Sequence, residues 1–561
     1  MKVLLTFCAS AIGLCYGSYP KTFQTSGANV ELNKSSYCLN KNLTNFDRQK
    51  NLHDAEYPLG NSVFPVDYLL NFGFFPSKSL GETWNETYYA DLIITLNVTR
   101  DTEDVLLTIG ESLDIIAVKI VNQATNEKKP VTLNLVQAPD VYGFNTLLTA
   151  GGDYYLQFRF YGKIKTDSPS GIFFGNPEKT SIVTMNEPYG LREIMPSFDA
   201  PVYKAVWHVQ VQHPNNTHAL SNNELISSAS SLNGDIVLTK FAPSPRMSSY
   251  LFALAIFPQS YKYETVYTKR GIKVTAYSET DLATIRSSAE SAAAAIDYLE
   301  EYTGIEYPMQ KLDLYGTSIY FGGAMENYGL IGSIRLNFAN VHETTHHWFG
   351  NLVTCKSFAS IWLNEGLTSF LEYKQTNKLG LSWSPLPSSN EHQVENSFNQ
   401  FDIFNLDIVQ SWFGFAYRQP AQKLITLERV IGEENMRVGL SYSNANSYDF
   451  INAFVEALKP RLSSSELKAI RNFFHTQILE NHRYTLNSLR KEYLKLSVAE
   501  DDDCFEKHEK AFYPIVTGFE NTTVLWIREN EYHRLTEDIH ITGEQFFQVL
   551  HVQLNDVMPV S

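Results

Sequence analysis

Two histidines and a distant glutamate form the most chemically specific pattern in this chain. Residues 342–346 read His-Glu-Thr-Thr-His, and Glu365 follows the second histidine by nineteen positions. On a helix, His342 and His346 lie one turn apart on the same face, so their imidazole nitrogens can converge on one zinc ion. Glu365 supplies a third ligand from a neighbouring helix. This spacing predicts a zinc hydrolase.

A bare His-Glu-x-x-His run also fits an ordinary polar helix face, so other features must support the interpretation. They are Asn364-Glu365-Gly366 at ligand spacing, Gly323-Ala324-Met325-Glu326-Asn327 upstream, and Tyr417 downstream. Over roughly residues 58 to 517, the chain resembles the aminopeptidase N family of zinc exopeptidases. The resemblance implies a zinc cofactor and peptide substrates with a free amino terminus.

Glu343 is the candidate general base. It is adjacent to His342, so it projects about 100° away around the helix and reaches the water rather than the metal. By resemblance, Tyr417 donates to the carbonyl oxygen on which negative charge develops, although it is also one aromatic among 32 tyrosines. A second interpretation of Glu343 stays open. Asn340-Val341-His342-Glu343 matches a capping box, in which Glu343 reaches back to the Asn340 backbone.

An exopeptidase must recognise the free amino terminus, and a carboxylate near the zinc does so. By resemblance, Glu326 plays this part, and the backbone of Gly323 and Ala324 lies along the substrate as an extra strand. The alternative is a glycine-containing turn with an exposed acid. The candidate substrate-binding residues are therefore Gly323, Ala324, Met325, Glu326 and Asn327.

Composition limits the class of protein. A chain of 561 residues is too long for one core, and 43% hydrophobic residues indicate a globular protein. The net charge of -16 argues against nucleic acid and anionic membrane surfaces as partners. A short apolar run within residues 1–17 predicts a cleaved secretory signal, with a retained signal anchor as the alternative. No other stretch is long enough to cross a bilayer, so we expect a secreted protein.

The pattern along the chain predicts several domains. Short alternating runs indicate strands up to about residue 258, whereas a helix is predicted over 281–303 with Thr280 as its N-cap. The family resemblance adds an all-β saddle domain and then an α+β thermolysin-like domain. The predicted order is a signal peptide (1–17), a linker (18–57), an N-terminal β domain (58–264), the zinc catalytic domain (265–517) and a truncated β-rich C-terminal fragment (518–561).

The glycosylation acceptors fit a secreted chain, whereas the three cysteines outside the predicted signal cannot all pair with one another. Cys355 is expected to be a buried small hydrophobe, and a bridge between Cys38 and Cys504 stays open. His347 follows the second ligand directly and is expected to be a packed or surface histidine rather than a fourth ligand. The Asn-x-Ser/Thr acceptors are Asn33, Asn42, Asn85, Asn97, Asn215 and Asn521.

Three departures from the family pattern keep a rival hypothesis open. Only fifteen positions separate Asn327 from His342, which predicts a shortened zinc helix. Met185 replaces a glutamine that helps to bind the substrate amine, and Ser360 replaces an acidic residue that supports the ligands. The rival is a non-catalytic extracellular binding or matrix protein that keeps the fold. An endopeptidase is a third possibility.

Overall fold

The computed structural model describes residues 57–75, 86–137, 140–231, 234–320, 323–336, 340–380, 406–440, 447–475, 512–517 and 523–528. The predicted signal peptide, nearly all of the linker, Cys38 and Cys504 lie outside these residues. Among the acceptors, Asn97 and Asn215 are described and exposed. The others, Asn33, Asn42, Asn85 and Asn521, lie outside the described residues.

The first part of the chain is built of strands. Their side chains alternate between buried and partly exposed positions, as in β2, where Tyr88, Ala90, Leu92 and Ile94 are buried. The strands are β1 (Val63–Gly73), β2 (Thr87–Val98), β3 (Thr102–Thr108), β4 (Leu113–Asn122), β5 (Glu127–Pro130), β6 (Asn134–Gln137), β7 (Val141–Leu148), β8 (Asp153–Lys163), β9 (Gly171–Phe174), β10 (Ile182–Met185), β11 (Val206–Pro214), β12 (Thr217–Ser221), β13 (Leu225–Ser230), β14 (Ile236–Phe241) and β15 (Leu254–Pro258).

These strands form three sheets. The largest has the order β13-β14-β11-β1-β2-β8-β4-β5, and the others have the orders β12-β15-β10-β9 and β3-β7-β6. Strands β1 and β11 are parallel, with Tyr68 paired with Trp207. The two rings stack with their centroids 4.0 Å apart, and both are fully buried in the core.

The second part combines a five-stranded sheet with helices. The sheet has the order β16-β17-β18-β20-β19, in which β17, β18 and β20 are parallel. Its strands are β16 (Lys262–Tyr267), β17 (Lys273–Ser278), β18 (Lys311–Gly316), β19 (Ala324–Met325) and β20 (Leu330–Ser333). The helices are α1 (Leu282–Thr303), α2 (Asn340–His346), α3 (Trp362–Leu379), α4 (Leu406–Ile431), α5 (Glu433–Leu440), α6 (Ser447–Leu458) and α7 (Ser464–Phe474).

The predicted helix over 281–303 forms as α1, but its cap differs by one residue. Asp281, not Thr280, is the N-cap, because its side chain accepts a hydrogen bond from the backbone N–H of Thr284. Gly304 ends the helix with a φ of 71°, a left-handed conformation that glycine adopts without strain.

The predicted fold class is confirmed: a β-rich N-terminal part precedes an α+β part that contains the helices. The domain boundaries stay predictions, and residue 264 falls inside β16. Near the C-terminus, β21 (Phe512–Thr517) and β22 (Thr523–Arg528) pair antiparallel. Among the described helices, none is both long enough and apolar enough to span a bilayer.

The β-rich part also contacts the loops around the predicted site. Asn222 donates from Nδ2 to the carbonyl oxygen of Tyr328 at 2.9 Å. The Tyr250 hydroxyl donates to the carbonyl oxygen of Gly350 at 2.8 Å and accepts from Nδ2 of Asn364 at 3.1 Å. These buried bonds tie the site to the strands that precede it.

Candidate active site

The three predicted metal ligands converge in the structure. His342 and His346 lie on α2, and Glu365 lies in the first turn of α3. The Nε2 atoms of the two histidines are 3.1 Å apart. Oε2 of Glu365 lies 3.4 Å from Nε2 of His342 and 3.1 Å from Nε2 of His346. All three side chains are buried, so they share one enclosed position.

Hydrogen bonds on the far side of each ring determine which nitrogen faces that position. Nδ1 of His346 donates to the carbonyl oxygen of Phe349 at 2.9 Å, because a carbonyl oxygen can only accept. Nδ1 of His342 faces Oε2 of Glu372 at 3.0 Å. Both Nε2 atoms therefore point toward Glu365, an arrangement that requires a proton or a metal ion between the ligands.

The spacing fits a small tetrahedral metal ion. Ligands about 2.1 Å from such an ion stand about 3.4 Å from one another. The three distances found here, 3.1, 3.1 and 3.4 Å, are close to that value. Two imidazoles and one carboxylate leave a fourth coordination position open. The residues present therefore fit a catalytic metal site.

Glu343 is buried on α2 beside both histidines. One of its carboxylate oxygens lies within 4.8 Å of a ligand atom of Glu326 and of His346. Burial raises the pKa of Glu343 to about 8, although the charges of His342 and His346 oppose the shift. Its place beside the two histidines suits Glu343 to accept and return a proton.

The capping-box hypothesis for Glu343 is wrong. Asn340 lies within α2, and its Nδ2 donates to Oγ of Ser291 at 3.3 Å. Its Oδ1 accepts no hydrogen bond from any residue that the structure describes. The hydrogen bond that the Asn340 side chain would accept from the Glu343 backbone N–H in a capping box is therefore absent. Glu343 does not have that structural role.

The predicted substrate-binding segment contains an edge strand. Ala324 and Met325 form β19 and pair antiparallel with Ser333 and Gly332 of β20. Within the described residues, β19 is the last strand of its sheet. Its outer edge offers backbone groups to which an extended peptide can add. Gly323, which precedes the strand, has a φ of 98°.

Glu326 follows this strand directly and is buried, with 3% of its surface exposed. Its Oε1 lies 3.9 Å from Nδ1 of His346 and has no hydrogen-bond partner among the described residues. Asn327, in contrast, turns into the core, where its Nδ2 donates to the Tyr320 hydroxyl at 3.3 Å. Within this pair, Glu326 is the side chain that faces the site.

A second buried acid, Glu187, lies beside Glu326 and was not among the sequence-predicted site residues. Carboxylate oxygens of Glu187, Glu326 and Glu365 all lie within 4.8 Å of one another. Oε1 of Glu187 has no hydrogen-bond partner among the described residues. Burial raises its pKa well above the usual range, and the charge of Glu326 adds to the shift. The sequence signal was an acid two positions after Met185, the last residue of the buried strand β10.

Tyr417 lies on α4 with its ring against a metal ligand. The ring centroids of Tyr417 and His342 are 5.7 Å apart, and their planes differ by 22°. Burial raises the pKa of Tyr417 well above its usual value, and the charge of Glu365 adds to the shift. The hydroxyl therefore keeps its proton beside the metal site.

Two further sequence predictions are confirmed. Cys355 is buried with 1% of its surface exposed and has no disulfide. His347 is fully buried and is not a ligand, because both of its ring nitrogens have other partners. Nε2 of His347 accepts from the backbone N–H of Gly329 at 3.0 Å.

Comparison with known protein families agrees with this geometry. The Peptidase M1 N-terminal domain matches residues 64–251, and the Peptidase family M1 domain matches residues 287–477. Together these two matches span more than half of the chain. The chain belongs to peptidase family M1. The second match contains His342, His346, Glu365, Glu343 and Tyr417.

Individual M1 relatives carry aminopeptidase names. The chain is 29% identical over 330 residues to Aminopeptidase N of Haemonchus contortus, covering 51% of this chain and 33% of the relative. It is 30% identical over 305 residues to Puromycin-sensitive aminopeptidase of Caenorhabditis elegans, covering 50% and 32% respectively. It is 27% identical over 416 residues to Aminopeptidase M1 of Arabidopsis thaliana, covering 65% and 46%. The chain therefore spans less than half the length of these M1 relatives.

The structure shows how this M1 site is supported despite the departures in sequence. Within the described residues, which resume at 340, helix α2 has seven residues. Ser360 contacts Oγ of Ser447 at 3.0 Å and does not orient a ligand. The side chains that contact the outer nitrogens of the two histidines are instead Glu372 and Thr368. Glu372 faces Nδ1 of His342, and Oγ1 of Thr368 lies 3.1 Å from Nδ1 of His346.

Gly366 determines how closely α4 approaches the M1 metal site. A Cβ atom at this position would lie 2.6 Å from Cβ of Pro420 and 3.2 Å from the carbonyl oxygen of Ala416. Helix α4 can therefore lie against the start of α3, next to Glu365, only because residue 366 has no side chain. This approach brings Tyr417 to His342.

Replacing Gly366 by alanine should push α4 away and cost about 1–3 kcal/mol of stability. We expect metal content to stay at the wild-type level while kcat falls about tenfold, because Tyr417 moves with the helix. Thermal unfolding, metal analysis and steady-state kinetics on one preparation measure these effects. Ser369→Ala on the same helix is the matched control, since its buried Oγ has no partner among the described residues. Wild-type kcat in Gly366→Ala would contradict the prediction.

Proposed function

We propose that this chain is a zinc-dependent aminopeptidase that removes single residues from the amino termini of peptides. One observation supports it above all: two buried carboxylates with unpaired oxygens lie directly beside a three-donor metal site. A buried negative charge is costly unless a positive group compensates it. The ammonium group of a peptide amino terminus supplies that charge and places the first peptide bond next to the metal.

Glu187 and Glu326 are the proposed amine-binding pair. An ammonium group has three donors and no acceptor, which matches carboxylate oxygens that accept nothing from the described residues. The outer edge of β19 then pairs with the backbone of the bound peptide. With the terminal amine held by the two acids beside the metal site, the proposed cut follows the first residue.

The residues of the chain have distinct tasks in hydrolysis. When bound by His342, His346 and Glu365, zinc polarises the scissile carbonyl group and activates a water molecule. Glu343 accepts the proton of the attacking water on its carboxylate and returns it to the nitrogen of the leaving amine. The Tyr417 hydroxyl donates to the carbonyl oxygen as negative charge develops there.

The proposal is tested with purified full-length protein and an aminoacyl arylamide. We expect release of the arylamine, complete loss of release after chelation, and recovery when zinc is returned to one equivalent per chain. The same amide with an acetylated amino group should not be cleaved. A zinc-loaded protein without turnover would contradict the proposal and favour a non-catalytic binding protein.

Metal removal should destabilise the protein more at pH 8 than at pH 6.5. Burial alone would lower the pKa of His346. The negative charges of Glu326 and Glu365 outweigh this effect and raise the pKa to about 9. Burial raises the pKa of Glu343 to about 8. In the metal-free fold both groups therefore bind protons more tightly than in the unfolded chain. This stabilisation is complete at low pH and is lost as the pH rises toward 8 and 9.

The metal competes with these protons, so zinc binds more tightly as the pH rises. The difference in thermal unfolding midpoint between zinc-loaded and chelated protein should therefore be larger at pH 8 by a few degrees. Scanning calorimetry at the two pH values measures it. If the difference in unfolding midpoint between zinc-loaded and chelated protein is the same at pH 6.5 and pH 8, the site does not exchange protons for metal.

We also propose that the chain is secreted and glycosylated. The apolar segment within residues 1–17 supports export, and Asn97 and Asn215 are exposed acceptors. Expression in a secretory eukaryotic host should deliver the protein to the medium with glycan on both residues, as peptide mass spectrometry would show. Retention in the cytosol without glycan would contradict this proposal.

A further inference from the structure

The zinc helix is too short to hold its own position. Within the described residues, helix α2 spans Asn340–His346, and isolated helices shorter than about 12 residues are not stable in water. The last four carbonyl groups of any helix also lack partners within it. Glu343, the proposed base, carries one of these carbonyl groups. Its geometry relative to Glu326 therefore depends on bonds from outside the helix.

His347 makes two of these bonds. Its Nε2 accepts from the backbone N–H of Gly329 at 3.0 Å, which requires the proton to be on Nδ1. Nδ1 therefore donates to the carbonyl oxygen of Glu343 at 3.0 Å. The ring is fully buried between Tyr307 and Tyr328, whose ring centroids lie 5.4 and 5.5 Å away. This packing encloses the imidazole.

Gly329 lies in the turn from Asn327 to Leu330 that follows Glu326, and this segment is held from several sides. Asn351 donates from Nδ2 to the carbonyl oxygen of Glu326 at 2.8 Å. Nζ of Lys311 donates to the carbonyl oxygen of Gly329 at 2.8 Å. Of these bonds, those of His347 and Asn351 come from the segment that carries the metal ligands. They join the metal site to the amine-binding carboxylate.

We propose that His347 is a positioning residue that sets the distance between the metal site and Glu326, and that Asn351 assists it. The proposal rests on the proposed function of Glu326 as an amine-binding group. A peptide that binds through both its amine and its carbonyl group needs this distance fixed, because small displacements at a reacting centre are costly. Loss of His347 would leave the Gly329 N–H and the Glu343 carbonyl group buried without partners.

The test uses zinc-loaded full-length protein and binding rather than turnover. The probe is an amino acid hydroxamate with a free α-amino group, compared with its Nα-acetyl counterpart, and calorimetry gives both Kd values. The variants are His347→Leu, which fills the space between the tyrosines but makes neither hydrogen bond, and His347→Gln, whose amide accepts and donates. In His347→Leu the preference for the free amine should fall about tenfold with zinc content unchanged. His347→Gln should stay within about threefold of the wild type.

His213→Leu is the matched control, because its buried ring also bonds through both nitrogens, to Thr217 and Thr239, far along the chain from the site. It should lower the thermal midpoint and leave the amine preference unchanged. If His347→Leu does not fold, Asn351→Ala tests the same distance and should also lower the preference.

An unchanged preference in the His347 and Asn351 variants would overturn the inference, as would a wild-type protein with no preference for the free amine. An absence of turnover in the wild type would contradict the proposed function alone, since the binding ratio is still measurable.

Discussion

Replacing Glu343 by glutamine should leave the metal in place and lower kcat for an aminoacyl arylamide by about 100-fold to 10,000-fold. General acid–base catalysis contributes a factor of this size, and the amide of glutamine cannot accept the proton of the attacking water. Glu343 is not one of the three converging donors, so the metal site stays intact. Metal analysis and steady-state kinetics on the same preparation separate the two effects.

The control for Glu343→Gln is Glu456→Gln, an exposed glutamate on α6 that pairs with Lys459. This variant should match the wild type in metal content and kcat. Activity within threefold of the wild type in Glu343→Gln would exclude Glu343 as the base. Loss of metal along with activity would instead place Glu343 among the groups that hold the ion.

Replacing either Glu187 or Glu326 by glutamine should raise KM about 30-fold or more for substrates with a free amine. Removing one partner of a buried charge pair costs about 2 kcal/mol or more, which corresponds to that factor. Burial raises the pKa of both carboxyl groups, so their charges are unfavourable in the empty site. We therefore expect both variants to unfold at a temperature no lower than the wild type.

Substrate analogues show whether this loss is specific. An arylamide without the α-amino group should be cleaved poorly by the wild type and equally poorly by both variants. An equal loss for substrates with and without the amine would show that the two acids act on the fold or the metal rather than on the amine. A fall in unfolding temperature in both variants would indicate a structural role.

Local sequence pattern was sufficient to predict that His342 and His346 lie side by side. His342 and His346 are one helical turn apart, so forming α2 brings their rings together whatever the rest of the chain does. The alternation in β2 likewise follows from one buried face. The error at the cap of α1 has a local cause, because Thr280 and Asp281 are both good N-caps and only the backbone geometry decides between them.

The contribution of Glu187 could not be predicted in the same way. Glu187 follows β10 in the β-rich part. It lies beside Glu326 only because the β-rich part packs against the five-stranded sheet that contains β19. Gly366 is a similar case, because a glycine is needed at this position only where Pro420 of α4 approaches closely. The role of His347 depends on Gly329, which its own position does not reveal. Each of these relations joins elements that are distant in sequence.

The most direct test of the central claim follows one peptide and its Nα-acetylated form by mass spectrometry. Each is incubated with wild-type protein that contains one zinc ion per chain. The account predicts successive loss of single residues from the free amino terminus, no cleavage of the acetylated peptide, and no cleavage of either after chelation. An intact free peptide, or cleavage at an internal bond of the acetylated one, would contradict it.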